Sequence, residues 1–430
     1  MAETLGVGLL GLGTVGSAVA ARLMSEWELL AQRAGATPVL RRVAVRDATR
    51  KRDIDLRAVP ITDDPASVVD DPTVSVVVEV MGGVDPATTL IQRALERGKS
   101  VVTANKAVIA ESGPQLAELA AAHGAGIWFE ASVGAGLPVV SVLRESLGGD
   151  RITAIDAIIN GTTNVILTRM RTDGVAFETA LAEAQRRGFA EADPSSDVDG
   201  WDAAYKLIIM SWLAYGAHVP VEQVDRHGIR AIQLPDLAYT GQLGYSVKLL
   251  AHSERRERPA AVHLRVRPTA VPSGHALFDI NDSANAVFIS SDLARSVAIS
   301  GLGAGGPSTA SAVVADIVAA IRRRGSQPGP PPTAPAQPVS DEDIDVAGYL
   351  RVRLDGSADA RAIAVQALED RGVPVVDAID KPPLDGPLPQ LLILTGMAPR
   401  AVHDRALETL DTLAVVREIA CSLDRIETAA

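Results

Sequence analysis

The stretch Leu5-Gly-Val-Gly-Leu-Leu-Gly11-Leu-Gly13-Thr14-Val15-Gly16-Ser-Ala-Val-Ala-Ala-Arg-Leu-Met24 decides the fold of the first part of this chain. A short apolar run bounded by glycine predicts a strand; the Gly-x-Gly-x-x-Gly turn follows, and then a segment of helical character. Gly11 permits the tight turn, Gly13 lets the backbone approach a pyrophosphate, and Gly16 lets helix and strand pack closely. The free N–H groups of the helix's first turn attract the anion. Any glycine-rich strand-to-helix turn shares this look, but the strand-turn-helix context favours dinucleotide binding, with Gly11, Gly13, Thr14, Val15 and Gly16 as its contacts.

Working outward, a second strand from Val39 to Val45 ends at Arg46-Asp47, and Arg50, Lys51 and Arg52 follow. An acid at this strand end suits the ribose 2′-OH of NAD, and a cation suits the 2′-phosphate of NADP. Arg46 and Lys51 point to NADP; Asp47 as the ribose acid leaves NAD as the alternative. Val74 to Val80 predicts a third strand that carries Glu79 and turns out through Met81-Gly-Gly83. After a helix from about Pro86 to Arg97, Ser100 to Lys106 predicts a strand whose polar end, with Thr103 and Lys106, reaches the edge where ligands bind. A lone lysine there is more often simply exposed. Gly126 to Phe129 closes the parallel region. The loop Glu130-Ala-Ser-Val-Gly-Ala-Gly-Leu-Pro138 offers carbonyls and a carboxylate to a hard cation, or is a plain turn.

From Arg151 the pattern changes. Ile152 to Ile159 predicts a strand that ends in Asn160-Gly-Thr-Thr-Asn164, a polar turn suited to capping the next helix. Gly188 to Lys206 carries five acids and then one lysine. Turn-formers predict a loop from Glu191 to Asp199 and a helix resuming at Ala203, with Asp202 and Lys206 four apart on one face. Such a pair is commonly a surface salt bridge of little worth. Here Leu207-Ile-Ile-Met210 predicts a helix buried on most sides, where a lysine needs a carboxylate and becomes a candidate for proton transfer. Helices to about Ala251 and β-rich segments near Val262 to Arg267, Ala286 to Ser290 and Ser296 to Ser300 predict an α+β domain. The second glycine turn, Gly301 to Gly306, precedes a helix from Ala312 to Arg323; it returns the chain to the cofactor at Gly303 or is a hinge. Six prolines between Gln327 and Pro338 predict a linker. The tail then reads strand, helix, strand, strand, helix, strand, the ferredoxin-like order.

A length of 430 residues is enough for two or three domains. The composition, 47% hydrophobic and 22% charged, is that of a globular protein, with apolar runs too short for a bilayer. The single cysteine, Cys421, allows no internal disulfide, and the N-terminus has no signal-peptide pattern, so a cytoplasmic location is expected. A net charge of −12 argues against nucleic acid or an anionic membrane as the main partner.

The motifs Gly-Leu-Gly-Thr-Val-Gly at 11 to 16, Val-Glu-Val-Met-Gly-Gly at 78 to 83 and Val-Thr-Ala-Asn-Lys at 102 to 106 converge with the 130 to 138, 160 to 164 and 188 to 206 stretches. In this order they resemble homoserine dehydrogenase over roughly residues 1 to 325. The tail resembles the ACT domain of many members. The resemblance implies an α/β protein with four parts. These are a Rossmann-type NAD(P)-binding domain at 1–135, to which a helix at 305–325 returns, an α+β catalytic and dimerisation domain at 136–304, a proline-rich linker at 326–344, and a ferredoxin-like ACT domain at 345–430. It implies NAD(P)-dependent interconversion of L-aspartate 4-semialdehyde and L-homoserine on the route to threonine, methionine and isoleucine, by a homodimer or homotetramer.

By motif position, Lys206 matches the catalytic lysine and Lys106 a second lysine facing it. Glu191, Asp197 and Asp202 match the acids that hold the substrate, with Gly161 and Thr162 in the adjoining turn. Glu130, Val133, Ala135 and Leu137 match a monovalent-cation loop, with sodium as the expected ion. Phe189 stands where many members have tyrosine. Asp355-Gly-Ser-Ala-Asp-Ala replaces the usual Asp-x-Pro-Gly turn of the ACT domain, so threonine feedback is not carried over. A thioester-forming semialdehyde dehydrogenase would need a thiolate near the motifs, and Cys421 lies in the tail. A non-catalytic effector-binding protein is the other alternative.

Overall fold

The computed structural model describes residues 3–50, 52, 54–56, 59–257, 260–324, 337–340, 342 and 344–427. The chain forms two compact units, one of residues 1–152, 205–221 and 290–335, the other of 153–204, 222–289 and 336–430.

The first unit holds six parallel strands: β1 (Thr4–Leu10), β2 (Thr37–Ala44), β3 (Ile61–Thr62), β4 (Val76–Glu79), β5 (Ser100–Thr103) and β6 (Ile127–Trp128), in the order β3-β2-β1-β4-β5-β6. Val7 pairs with Leu40 on one side and Val76 on the other, and Val77 with Val101. This is the doubly wound order, and it reverses between β1 and β4, which opens a crevice at their carboxyl ends. The strands read as unbroken apolar runs because helices cover both faces: Val7, Leu9, Val77, Val78, Val101 and Val102 are fully buried. The late helix Gly306–Arg323, which begins six residues before the expected start, adds Val313, Ile317 and Ile321 to this core.

Lys106 is not at a strand's carboxyl end. β5 stops at Thr103, and Lys106 opens the helix Lys106–Ala122, because the Asn105 side chain caps that helix and forces the chain out of the sheet.

In the second unit the strands run in the order Ala284–Ser291, Ile152–Ile158, Tyr245–Glu257, Ala260–Pro272, Val416–Arg425, Asp345–Leu354, Gln390–Thr395 and Val375–Lys381. The last four make the antiparallel 4-1-3-2 arrangement of a ferredoxin-like fold, carrying the helices Ala360–Glu369 and Arg400–Asp411. The tail's final strand continues the sheet by pairing in parallel with Ala260–Pro272, Thr269 opposite Asp424 and Ala270 opposite Arg425. Arg351, with no exposure, reinforces the join by donating to Asp236 (2.7 Å), Asp385 (3.0 Å) and Gln233 (3.2 Å).

Three expectations are corrected here. Helix gives way at Gln242, and Tyr245–Glu257 is a 13-residue strand where helix was expected to about Ala251. Gly244 takes a φ of +80° before the strand, and Ser246 to Ala251 are buried on both faces, which erases the alternation that marks a strand. The acidic loop contains a helical turn, Ser195–Val198, entered where the Asp193 carboxylate accepts from the Ser195 N–H (3.1 Å). Most of the expected linker lies outside the described residues, 326–336 among them, but Gln337–Pro338 forms a short strand beside Ala261 and Val262.

Candidate active site

At the β1 turn, Gly11 adopts φ +103°, and a Cβ there would stand 2.7 Å from the Val80 carbonyl oxygen. A Cβ on Gly16 would stand 2.1 Å from the Gly11 oxygen, whereas one on Gly13 would meet nothing within 4 Å. The turn is therefore closed on its protein side and open at Gly13. No side chain caps the helix Thr14–Ser25 that follows, so its first N–H groups remain available to an anion. This cradle fits a dinucleotide pyrophosphate. Gly306 fits flush against Thr14, since a Cβ there would lie 2.7 Å from Thr14 Cγ2, and Gly303, three residues earlier, is buried.

Beside the turn, the carboxyl ends of β4 and β5 are joined by a buried network. Glu79 accepts from the Met81 N–H (2.8 Å) and the Thr103 hydroxyl (2.6 Å), and that hydroxyl accepts from the Asn105 N–H (3.0 Å). Asn105 then donates from Nδ2 to the Gly83 carbonyl (2.6 Å). The Thr103 hydroxyl is thus occupied in holding the frame. Half-buried Lys106 begins the helix just beyond it.

Past β2, Arg46 is exposed. Asp47 folds back on its own loop, accepting from the Thr49 hydroxyl (2.6 Å) and N–H (2.9 Å), which hold its carboxyl below the usual range. Lys51 lies outside the described residues.

In the second unit Asn160 organises the acids. Its oxygen caps the helix Gly161–Asp173 by accepting from the Thr163 N–H (2.8 Å). Its Nδ2 donates to Asp197 Oδ1 (2.6 Å) and to Asp202 Oδ2 (2.9 Å). Asp202 is buried, and Lys206, half-buried, stands one turn further along the helix Trp201–Tyr215. The Thr162 hydroxyl donates to the Phe189 carbonyl (2.7 Å), which ties this turn to the start of the acidic stretch. Glu191 is exposed, and its carbonyl accepts from Gln185 (3.0 Å). The Phe189 ring, which lacks a hydroxyl, lies under the Arg187 guanidinium (5.1 Å). Asn105 and Asn160 were missed as individual functional residues. The available signal was local: each precedes a helix in a polar segment at the end of a strand.

The loop after β6 is buried. The Glu130 carboxylate accepts from the Val140 (2.7 Å) and Ser141 (2.9 Å) N–H groups, and its own N–H donates to Asp316 (2.8 Å). Burial pushes the Glu130 carboxyl up; burial and then the Glu130 charge push Asp316 well above the carboxylate range. With its carboxylate used this way, Glu130 has no free carboxylate for an ion; its carbonyl accepts from the Val133 N–H (3.4 Å), and that of Leu137 from the Val139 N–H (2.9 Å). Ala135 holds the left-handed conformation, φ +52°, that shapes the loop. No cluster of three or more His, Cys, Asp or Glu side chains able to hold a metal occurs among the described residues. A monovalent ion held by backbone carbonyls needs no such cluster.

The doubly wound sheet, its open glycine turn and the paired acids beside a lysine-bearing helix define a nicotinamide-dinucleotide-dependent oxidoreductase. Family models described as homoserine dehydrogenase, NAD binding domain and homoserine dehydrogenase match residues 11–130 and 138–318. A homoserine dehydrogenase of Synechocystis is 44% identical over 322 residues, 73% of each chain. The crystal structure of a homoserine dehydrogenase from Thiobacillus denitrificans is 35% identical, with a TM-score of 0.92 over 99% of this chain and 100% of that one. A hyperthermophilic archaeal homoserine dehydrogenase in complex with NADPH is 31% identical, with a TM-score of 0.64 over 76% of this chain and 100% of that one.

The chain belongs to the homoserine dehydrogenase family, and its activity is the NAD(P)-dependent interconversion of L-aspartate 4-semialdehyde and L-homoserine. Burial and the neighbouring Asp236 charge push the Cys421 thiol well up, so it is no thiolate nucleophile and the thioester alternative falls. No helix among the described residues is long and apolar enough to cross a membrane.

Proposed function

We propose that Lys206 gives the proton to the alkoxide that forms when the semialdehyde carbonyl is reduced, with Lys106 as the second lysine at that carbonyl. The nicotinamide supplies the hydride when bound. An ammonium beside the carbonyl oxygen stabilises the developing negative charge and then neutralises it. Asp202, one turn before Lys206, orients that ammonium. Glu191 and Asp197 receive the substrate's α-ammonium, and Gly161 and Thr162 contribute the turn beneath it. The observation that carries this reading is Asn160, whose single amide holds Asp197 and Asp202 together one turn from Lys206.

The preferred cofactor is NADP, with Arg46 and Lys51 on its 2′-phosphate; the engagement of Asp47 with Thr49 supports this over NAD. Thr103 frames the nicotinamide side and Gly303 closes over it. Carbonyls of Glu130, Val133, Ala135 and Leu137 hold a monovalent cation, sodium in our reading. We assign the enzyme to the cytoplasm, as a homodimer or homotetramer serving threonine, methionine and isoleucine synthesis. Its four parts are 1–135 with 305–325, 136–304, 326–344 and an ACT-like 345–430. With Asp355-Gly-Ser-Ala-Asp-Ala at the tail's first turn, added threonine is expected to change the rate little. The deciding test is Lys206→Ala: turnover should fall about 10²- to 10⁴-fold, the usual worth of a positioned acid, while NADPH binding followed by fluorescence persists. Near-normal turnover would remove Lys206 from this role.

A further inference from the structure

One face of the helix Gly161–Asp173 grips the loop from Asp279 to Ala284. Asn164 Nδ2 donates to the carbonyls of Ile280 (3.1 Å) and Ala284 (3.1 Å). The Thr168 hydroxyl accepts from the Asp282 N–H (3.0 Å), and Arg171 donates to Asn281 Oδ1 (2.8 Å). Ser283 stands so close to Gly161 that its carbonyl oxygen would lie 3.3 Å from a Cβ there. Positions 161, 164, 168 and 171 share one helical face. The loop is therefore fastened along the length of the helix that begins at the Gly161–Thr162 turn.

Beneath this contact lies Lys248, on the strand Tyr245–Glu257 and only 2% exposed. Its Nζ donates to the Ile280 carbonyl and to Asn281 Oδ1 (3.0 Å), and reaches Asn164 Oδ1 at a long 3.5 Å. All three partners are neutral oxygens, which is unusual for a buried lysine. The charged groups around it are Arg171 on the helix and Asp279 and Asp282 on the loop. Burial first, and then Arg171, hold its amine down to about 7 against the partial offset of the two acids.

We propose that Lys248 is a positioning residue for the substrate turn: it locks the loop 279–284 against the helix that starts at Gly161. This rests on the assignment of Gly161 and Thr162 to the substrate. Three oxygens of the loop and the helix converge on one Nζ, whose N–H donors are used in holding the two together.

The test compares the full-length enzyme with its Lys248→Met variant. Hydrogen exchange of the amides from 279 to 284, corrected for intrinsic rates, should be about tenfold faster in the variant, the worth of one or two hydrogen bonds. The homoserine KM should rise about tenfold, with kcat and NADPH affinity nearly unchanged. Exchange that is the same in the variant as in the wild type would overturn the lock. A loosened loop with an unmoved homoserine KM would instead overturn the assignment of the turn to substrate. If Lys248→Met does not fold, Asn281→Ala, which removes one acceptor from a half-buried loop position, should move both readouts the same way by less, and no movement would overturn the proposal.

Discussion

Asn105 in the first unit and Asn160 in the second are used alike and serve different chemistry. Each sits just past a strand, and each caps the following helix with its side-chain oxygen. They differ in where the amide nitrogen goes. Asn105 donates to a neutral carbonyl, that of Gly83, whereas Asn160 donates to two carboxylates, Asp197 and Asp202. The first arrangement stiffens the carboxyl ends of β4 and β5, while the uncapped helix end that suits an anion is that of Thr14–Ser25. The second gathers negative charge, which suits an ammonium. The same cap therefore braces a backbone edge in one unit and gathers two acids in the other, according to what the second half of the amide meets.

This contrast is open to direct attack. The largest effect should come from Asn160→Ala, which strips both acids of a charge-assisted hydrogen bond: kcat/KM for homoserine should fall by about 1.5–3 kcal/mol, roughly 10- to 150-fold, while the NADPH Kd stays put. A parallel loss of NADPH affinity would erase the distinction between the two asparagines. Next in size, Arg46→Asp should weaken NADPH about tenfold more than NADH, as expected for losing a hydrogen bond to a charged group, and the gap should narrow with added salt. Equal effects on the two cofactors would count against the 2′-phosphate contact. The smallest is Asn105→Ala. Losing a neutral hydrogen bond should raise the NADPH Kd about fivefold and leave the homoserine KM alone; titration of cofactor fluorescence beside steady-state kinetics decides it.

Much of this was legible in the chain. The glycine turn is readable because its constraint is local: Gly11 needs a positive φ and Gly16 a missing Cβ within a few residues of each other. The βαββαβ order of the tail is readable for the same reason, since each element carries its own period. The misreadings fall where distant contacts overrule the local pattern. The first half of Tyr245–Glu257 resembled helix because both faces of Ser246 to Ala251 are covered, so no alternation survives there in the sequence. Lys106 was set on a strand because its helix is started by the side chain of Asn105, and that cap competes with the sheet only in the folded chain.

By itself the sequence determined the kind of machine: a doubly wound nucleotide unit, an acid-rich stretch with a lysine one turn on, and a ferredoxin-like tail, because motif spacing and hydrophobic period act over short range. Only the tertiary structure decided which polar atoms are occupied. The Glu130 carboxylate is consumed by two amides, the Thr103 hydroxyl by Glu79, and Lys248 is enclosed among neutral oxygens. Partners brought from 10 to more than 80 positions away make those assignments, and a buried polar group must find them wherever the fold supplies them.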